Sequence, residues 1–226
     1  MRRGIFVTGT DTGVGKTYAA CLLGRRLRQA GMSVRPFKPV ESGCLPGPDG
    51  KPFPADAAAL RDAMLPTLPL SAVCFYPLAA ALSPHLAARL EGKAIDLDWM
   101  RRTIVENAGA SDLLLVEGAG GIAVEIQEGY SFARLAHDLS FPALVVAENR
   151  LGVLNHLQLT IRYLADEGVP LLGVILNDRT PSPFPARESN EAEVRRICGH
   201  GYLGRIGQGA SYLPEEVFGN LQGRVF

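Results

Sequence analysis

The stretch GTDTGVGKT, residues 9–17, decides the fold of this chain. It follows a short apolar run at residues 4–7 and precedes a segment with helical periodicity. A glycine-bearing loop between a buried strand and a helix is typical of phosphate binding, because its backbone N–H groups and the helix dipole both face an anion. The position that usually holds the first glycine of such a loop is Thr10. The alternative is an ordinary strand-to-helix turn that ends in a lysine.

Apolar runs and helical patterns alternate along the rest of the chain. Continuous apolar runs predict buried parallel strands at residues 5–8, 34–39, 113–117, 143–147, 171–176 and 202–206. Apolar residues at helical spacing predict helices at residues 17–30, 57–64, 97–108, 132–139, 154–166 and 188–198. The first helix is expected to end at Gly31. This alternation indicates an α/β fold, a doubly wound, mostly parallel sheet with helices on both faces.

Two Gly- and Pro-rich segments interrupt the pattern, at residues 43–54 and 178–187. Both are expected to be irregular loops that lie over the site. We see no domain boundary, so residues 1–226 are predicted to form one phosphate-loop (P-loop) NTPase-like domain.

Composition excludes several classes of protein. The formal net charge is zero, which argues against a strongly basic nucleic-acid binder. The four cysteines are scattered, so neither a zinc site nor a disulfide framework is indicated. No apolar segment approaches the roughly 18 residues that span a bilayer. We therefore expect a cytoplasmic protein with reduced thiols and without nucleic-acid or membrane partners.

The residues of the loop predict how a nucleotide would bind. Lys16 would reach the β- and γ-phosphates of ATP, and the Thr17 hydroxyl would ligate Mg²⁺. Gly13 and Gly15 lack a Cβ where the backbone must approach the oxygens or adopt a positive φ. The predicted nucleotide-binding run is Gly13, Val14, Gly15, Lys16, Thr17 and Tyr18.

Charged residues at strand ends complete the predicted site, because ligands of open α/β sheets bind outside the carboxyl ends of the strands. Glu117 ends the strand at 113–117, and the glycines that follow would let a ligand approach closely. Asp56 is a second candidate metal ligand, with a helix N-cap as its alternative role. Lys38 ends the predicted second strand and would stabilise a transferring phosphoryl group. Its alternative role is a surface lysine.

The motifs together resemble the dethiobiotin synthetase family. GTDTGVGKT, KPVESG at 38–43, SPH at 83–85, VEGAGG at 116–121 and LGVLNH at 151–156 have the family's order and spacing. The resemblance implies that 7,8-diaminopelargonic acid, CO₂ and MgATP are converted to dethiobiotin, ADP and phosphate. The reaction would pass through a carbamate and a carbamic-phosphoric anhydride before the ureido ring closes.

The resemblance also implies roles for individual residues. Lys38, Lys16 and Thr12 would act on the reacting groups, and Thr17, Asp56 and Glu117 would hold Mg²⁺. Asn177 and Gly207 would lie near the adenine. The residues implied in substrate binding are Ser42, Gly118, Ala119, Gly120, Leu151, Gly152 and Asn155. The family is homodimeric, and Asn155 would help to bind the substrate carboxylate across the interface. Asn155 could instead cap a helix, and Asn177 could instead be a turn residue that ends its strand.

The chain departs from the family pattern in three places. Gly13 replaces a glutamate that some members carry, and Glu41 adds a negative charge beside Ser42. The run GRIG at 204–207 lacks the proline that many members place beside the adenine. The last departure predicts an altered base pocket and puts a strict preference for ATP in doubt.

Two other functions remain open at this point. A ParA-like regulatory ATPase would bind a partner protein or DNA, but such proteins carry a lysine early in the loop, where this chain has GTDT. The synthetase domain of an amidotransferase would need a glutamine-hydrolysing cysteine, and Cys198 lies in no nucleophile-elbow context.

Overall fold

The fold is built on a parallel sheet of six strands. The computed structural model describes residues 3–107, 109, 111–179 and 186–225. In chain order, the strands of the sheet are β1 (Gly4–Gly9), β2 (Val34–Phe37), β3 (Leu113–Gly121), β4 (Ala143–Glu148), β5 (Leu171–Asn177) and β6 (Tyr202–Ile206). Their spatial order is β6-β5-β4-β1-β3-β2, and every neighbouring pair is parallel. The predicted α/β class is confirmed.

Helices cover both faces of this sheet. They are α1 (Lys16–Gln29), α2 (Ala55–Met64), α3 (Pro84–Leu90), α4 (Leu97–Glu106), α5 (Phe132–Leu139), α6 (Val153–Asp166), α7 (Ala186–Cys198) and α8 (Glu215–Val225). α1, α2 and α8 share one buried apolar cluster, and α3 to α7 contribute to the other. Successive strand residues serve opposite faces, since Ile5 and Val7 join the first cluster and Phe6 the second. This two-sided burial explains why the strands read as continuous apolar runs.

The observed boundaries differ from the predicted ones at several places. α2 begins at Ala55 behind Pro54, so the N-cap role considered for Asp56 is wrong. The segment 43–54 is not wholly irregular, because Leu45–Pro46 pairs with Pro52–Phe53 as a short antiparallel ribbon. α3 and α8 were not predicted. Of the segment 178–187, residues 180–185 lie outside the described part of the chain, as does Ala108 at the end of a predicted helix.

Parallel strands bring their carboxyl ends to one edge of the sheet. β1 ends at Gly9 and leads into the glycine-bearing loop, while β3 and β4 flank β1. Gly31 follows α1 with φ 83°, as expected of a helix end that reverses toward β2. Among the described helices, none combines the length and apolar character that crossing a bilayer requires.

We expect Gly173→Ala to destabilise the protein by about 1–3 kcal/mol, because overpacking a filled core is costly. A Cβ at Gly173 would lie 2.5 Å from Cγ of Leu203, which is fully buried on β6. Urea denaturation measures the change. Gly219→Ala in α8 is the control, since a Cβ there meets nothing within 4 Å. Equal effects of the two substitutions would contradict the packing argument.

All four cysteines are free, and burial raises the pKa of each thiol. Cys198 is the most accessible, and its pKa is raised to about 11. We expect its alkylation by iodoacetamide at pH 8 to be about 100-fold slower than that of an ordinary thiol, because the thiolate is the nucleophile. The rate should rise about tenfold per pH unit up to the pKa. A folded protein that is alkylated as fast as its urea-unfolded form at pH 8 would contradict this expectation.

Candidate active site

A cavity of about 640 Å³ opens at the carboxyl edge of the sheet. It extends from the glycine-bearing loop to the start of α2 and the loop before α3. Many of the residues singled out in the sequence line it: Thr12, Gly13, Gly15, Lys16, Thr17, Tyr18, Lys38, Ser42, Asp56, Ala119 and Gly120. The structure therefore brings residues from four separate chain segments to one site.

The loop of residues 9–17 is braced by the neighbouring strand. Gly15 precedes α1 with φ 92°, a conformation that favours glycine. Asn177, at the end of β5, donates from Nδ2 to the Val14 carbonyl at 2.9 Å. A Cβ at Gly15 would lie only 2.2 Å from this Nδ2, so a larger residue would break the contact. Asn177 is 1% exposed and lies beneath the loop rather than in the cavity.

Lys16 crosses the loop from the first turn of α1. Its Nζ donates to the Asp11 carbonyl at 3.0 Å. Burial lowers the pKa of Lys16 to about 8, and the nearby charge of Lys38 adds to this effect. A carbonyl contact does not neutralise the ammonium, so the charge remains available to an anion.

Lys38 lies at the floor of the cavity between two carboxylates. Its Nζ is 2.7 Å from Glu117 Oε1 and 3.5 Å from Asp56 Oδ2, and it also donates to the Gly118 carbonyl at 3.1 Å. Burial opposes the charged form, yet Glu117 and Asp56 outweigh it and raise the pKa of Lys38. Lys38 is 2% exposed, so its alternative role as a surface lysine is wrong.

Thr17, Asp56 and Glu117 have the donor atoms of a magnesium site. Thr17 Oγ1 donates to Glu117 Oε1 at 2.7 Å, and Asp56 faces the same cavity. Glu117 Oε2 is buried and has no hydrogen-bond partner among the described residues. A buried carboxylate oxygen without a partner is costly unless a cation or donor is present. Hydroxyl and carboxylate oxygens are the ligands that Mg²⁺ prefers, so this set fits the ion.

Glu41 holds the start of α2 in place. Its carboxylate accepts from the backbone N–H groups of Asp56 at 3.0 Å and Ala57 at 2.9 Å. Burial raises the pKa of Glu41, and these two hydrogen bonds oppose the shift. The negative charge expected beside Ser42 is therefore engaged with the N-terminus of α2, and it fixes the backbone that carries Asp56.

Other residues from the sequence analysis lie away from the cavity lining. Val14 and Glu117 are buried beneath it, and Gly118 contributes its carbonyl to Lys38. Gly207 is exposed after the end of β6. Near it, the hydroxyl of Tyr18 donates to the Ala210 carbonyl, which ties the start of α1 to the segment that follows β6.

The segment before α6 is separate from the cavity. Gly152 is the N-cap of α6 with φ 91°, so the cap role considered for Asn155 is wrong. Leu151, which is 86% exposed, and Asn155 both face solvent. Within one chain, these residues do not line the site that contains Lys38.

Sequence reasoning missed several lining residues. Ala81, Leu82 and Val124 have no chemical signature that would single them out. Arg179 follows β5 by two residues, and Nη1 of its guanidinium donates to the Gly13 carbonyl. A Cβ at Gly13 would lie 3.1 Å from this Nη1. The space where a glutamate side chain would begin is therefore bordered by an arginine in this protein.

Solved structures establish the fold by comparison. A ParA family ATPase from Chlorobium tepidum superposes with a TM-score of 0.53 at 17% identity, covering 100% of this chain and 91% of that one. The MinD cell division protein of Aquifex aeolicus also gives 0.53, at 18% identity over 99% and 87% of the two chains. Identities this low speak for a shared fold alone.

Sequence comparison identifies the family, whereas the solved structures show only the fold. A family model described as an AAA domain matches residues 3–214. An ATP-dependent dethiobiotin synthetase BioD from Anaeromyxobacter dehalogenans (strain 2CP-1) is 42% identical over 86% of this chain and 85% of its own. The one from Anaeromyxobacter sp. (strain Fw109-5) is 40% identical over 97% and 99%, and that of Bacillus subtilis 33% over 95% and 91%. The chain thus belongs to the ATP-dependent dethiobiotin synthetase family.

Proposed function

We propose that the whole chain, residues 1–226, works as one dethiobiotin synthetase domain that closes a cyclic urea at the expense of ATP. The observation that carries the proposal is that a phosphate-binding loop and a buried pair of charged side chains meet at one cavity. The loop with Lys16 and Thr17 lies beside Lys38, which follows β2, and Glu117 of β3. Phosphoryl transfer needs this combination of positioning and positive charge more than it needs a covalent nucleophile.

The proposed reaction has three bond-forming steps. One amine of 7,8-diaminopelargonic acid attacks CO₂ and loses a proton, which gives a carbamate. A carbamate oxygen then attacks the γ-phosphorus of ATP, and ADP leaves. The second amine attacks the carbonyl carbon of this anhydride and loses a proton, inorganic phosphate leaves with the bonding pair, and the five-membered ring closes. The first step is an addition and the other two are displacements; none of them changes an oxidation state, so no redox group is required.

The residues of the cavity match these steps by position and charge. Lys16 would neutralise the β- and γ-phosphates, and Lys38 would stabilise charge shared between the carbamate and the phosphoryl group. Thr12 and Ser42 also line the cavity; Ser42 would bind the carbamate end of the substrate, and Thr12 would lie near the reacting groups. Thr17, Asp56 and Glu117 would hold Mg²⁺, which when bound neutralises the charge of the polyphosphate.

The remaining substrate contacts call for a second copy of the chain. Leu151, Gly152 and Asn155 lie outside the cavity of their own chain, at the exposed start of α6. The first N–H groups of a helix suit a carboxylate. A homodimer in which one chain offers this helix start to the substrate of the other would satisfy both facts.

Free thiols at all four cysteines support a cytoplasmic enzyme.

The base of the nucleotide would lie near the ends of β5 and β6. Asn177 and Gly207 end or follow neighbouring strands beside the loop. The Asn177 amide nitrogen donates one of its two hydrogens to Val14, and Oδ1 is buried without a hydrogen-bond partner among the described residues. An amide so buried would offer a base few contacts, and a base held by few contacts would be selected weakly.

Turnover with each of the four nucleoside triphosphates tests the reaction and the base choice together. We expect diaminopelargonate, CO₂ and Mg²⁺ to drive nucleoside diphosphate release, with dethiobiotin as the product in mass spectrometry. We also expect selectivity among the nucleotides to be modest. Release that does not require diaminopelargonate, or no dethiobiotin with any nucleotide, would refute the proposal.

Lys38→Ala should retain ADP binding and lose turnover by about 10²–10³-fold, because a cation at the transferring phosphoryl group is removed. Loss of one partner of a buried ion pair also destabilises a protein, by about 3–5 kcal/mol. Lys38→Met, which keeps most of the packing, should therefore be assayed in parallel, with circular dichroism as a check on folding. The exposed Lys51→Ala is the matched control. Full turnover by a folded Lys38 variant would remove this lysine from the mechanism.

A further inference from the structure

Arg179 has no part in the reaction as proposed so far, yet it borders the cavity beside the phosphate-binding loop. It lies on the segment that follows β5 and lines the same cavity as Gly13, which it contacts. The side chain is exposed, and its one hydrogen bond among the described residues goes from Nη1 to the Gly13 carbonyl. That contact fixes one edge of the guanidinium and leaves the other N–H groups free to bind a ligand.

The balance of charge in the cavity indicates that such a ligand is an anion. Lys38 is paired with Glu117 and Asp56, so its charge is largely balanced. Lys16 and Arg179 each donate to a backbone carbonyl of the loop, at Asp11 and at Gly13. Carbonyl contacts leave both cations with net charge. No ion pair to a carboxylate is present for either of them in the described part of the chain.

The two cations therefore approach the loop from different elements, α1 and the segment after β5. Gly13 permits the second approach, because a Cβ at this position would lie 3.1 Å from Arg179 Nη1. Its φ of 77° is also a conformation that favours glycine. A guanidinium with free N–H groups suits phosphate oxygens, which it can bind in a bidentate manner.

We propose that Arg179 is a second phosphate-binding cation, which contacts the polyphosphate of a bound nucleotide from the side of the loop opposite to Lys16. The inference rests on the proposed function in that it takes the cavity to be a nucleotide site. Arg179 lies outside the phosphate-binding motif, 162 positions after Thr17, so the motif alone does not point to it. The ligand class is a nucleoside di- or triphosphate, and the contact is ionic.

The test compares ADP, AMP and adenosine, measured by calorimetry or by displacement of a fluorescent ADP analogue. We expect Arg179→Gln to weaken ADP binding about tenfold, as for the loss of one charge-assisted hydrogen bond. Adenosine binding should be unchanged. Arg179→Lys should recover part of the affinity, because it keeps the charge but not the paired N–H groups. Arg150→Gln is the matched control, since Arg150 is also exposed and contacts Asp11 of the loop at 3.3 Å without lining the cavity.

Salt dependence separates a phosphate contact from a role in bracing the loop. The slope of log Kd for ADP against log salt concentration should be shallower for Arg179→Gln than for the wild type, because one ionic contact is lost. A brace would instead leave this slope unchanged. It would also weaken adenosine and ADP by the same factor.

The outcomes distinguish this inference from the proposed function. If the wild type binds ADP and Arg179→Gln binds it equally well, Arg179 makes no phosphate contact and only this inference fails. Equal losses for ADP and adenosine would assign Arg179 to the base or to the loop and also overturn it. If the wild type does not bind ADP, the nucleotide site fails and the inference fails with it.

Discussion

The ion pair between Lys38 and Glu117 is the contact on which the rest of the site depends. Both groups are buried, and ionised groups stay buried only when they are paired and hydrogen-bonded. Here the ammonium also donates to the Gly118 carbonyl, and the carboxylate also accepts from Thr17. Together these bonds join the residue that follows β2, the middle of β3 and the start of α1, and β3 continues past Glu117, where the sequence predicted its end. The contacts that fix these elements are thus the same ones that form the floor of the cavity.

The glycine-bearing loop is held in its binding shape by the protein itself. Asn177 donates to Val14 from beneath, Lys16 donates to Asp11 across the loop, and Arg179 donates to Gly13 from the rim. A loop that is already ordered does not consume binding free energy for its own ordering when a ligand arrives. The requirement for glycine at position 15 has the same origin, because the Asn177 amide occupies the space that a side chain would need.

What could be predicted from the sequence was local. The apolar runs gave the six strands, and the loop at 9–17 identified the strand and helix on either side of it, since each of these signals lies within a few consecutive residues. The cap that Glu41 places on α2 could not be predicted, because the carboxylate and the N–H groups it binds are 15 and 16 residues apart in the chain. The contact of Arg179 with Gly13 spans 166 residues. Such pairings follow from sheet order, which a single sequence does not specify.

The cap on α2 has a consequence for how charge is distributed across the cavity. Of the helices that begin at its wall, α1 and α2 would each by itself attract an anion with its first N–H groups. At α2 those groups are occupied by the Glu41 carboxylate, and Asp56 follows directly. At the start of α1, the ammonium of Lys16 adds positive charge to that of the first N–H groups. The cavity is therefore polarised, with one anion-attracting end and one cation-attracting end. A metal–polyphosphate complex would therefore be favoured in the orientation that places its phosphates toward α1 and its metal toward Asp56.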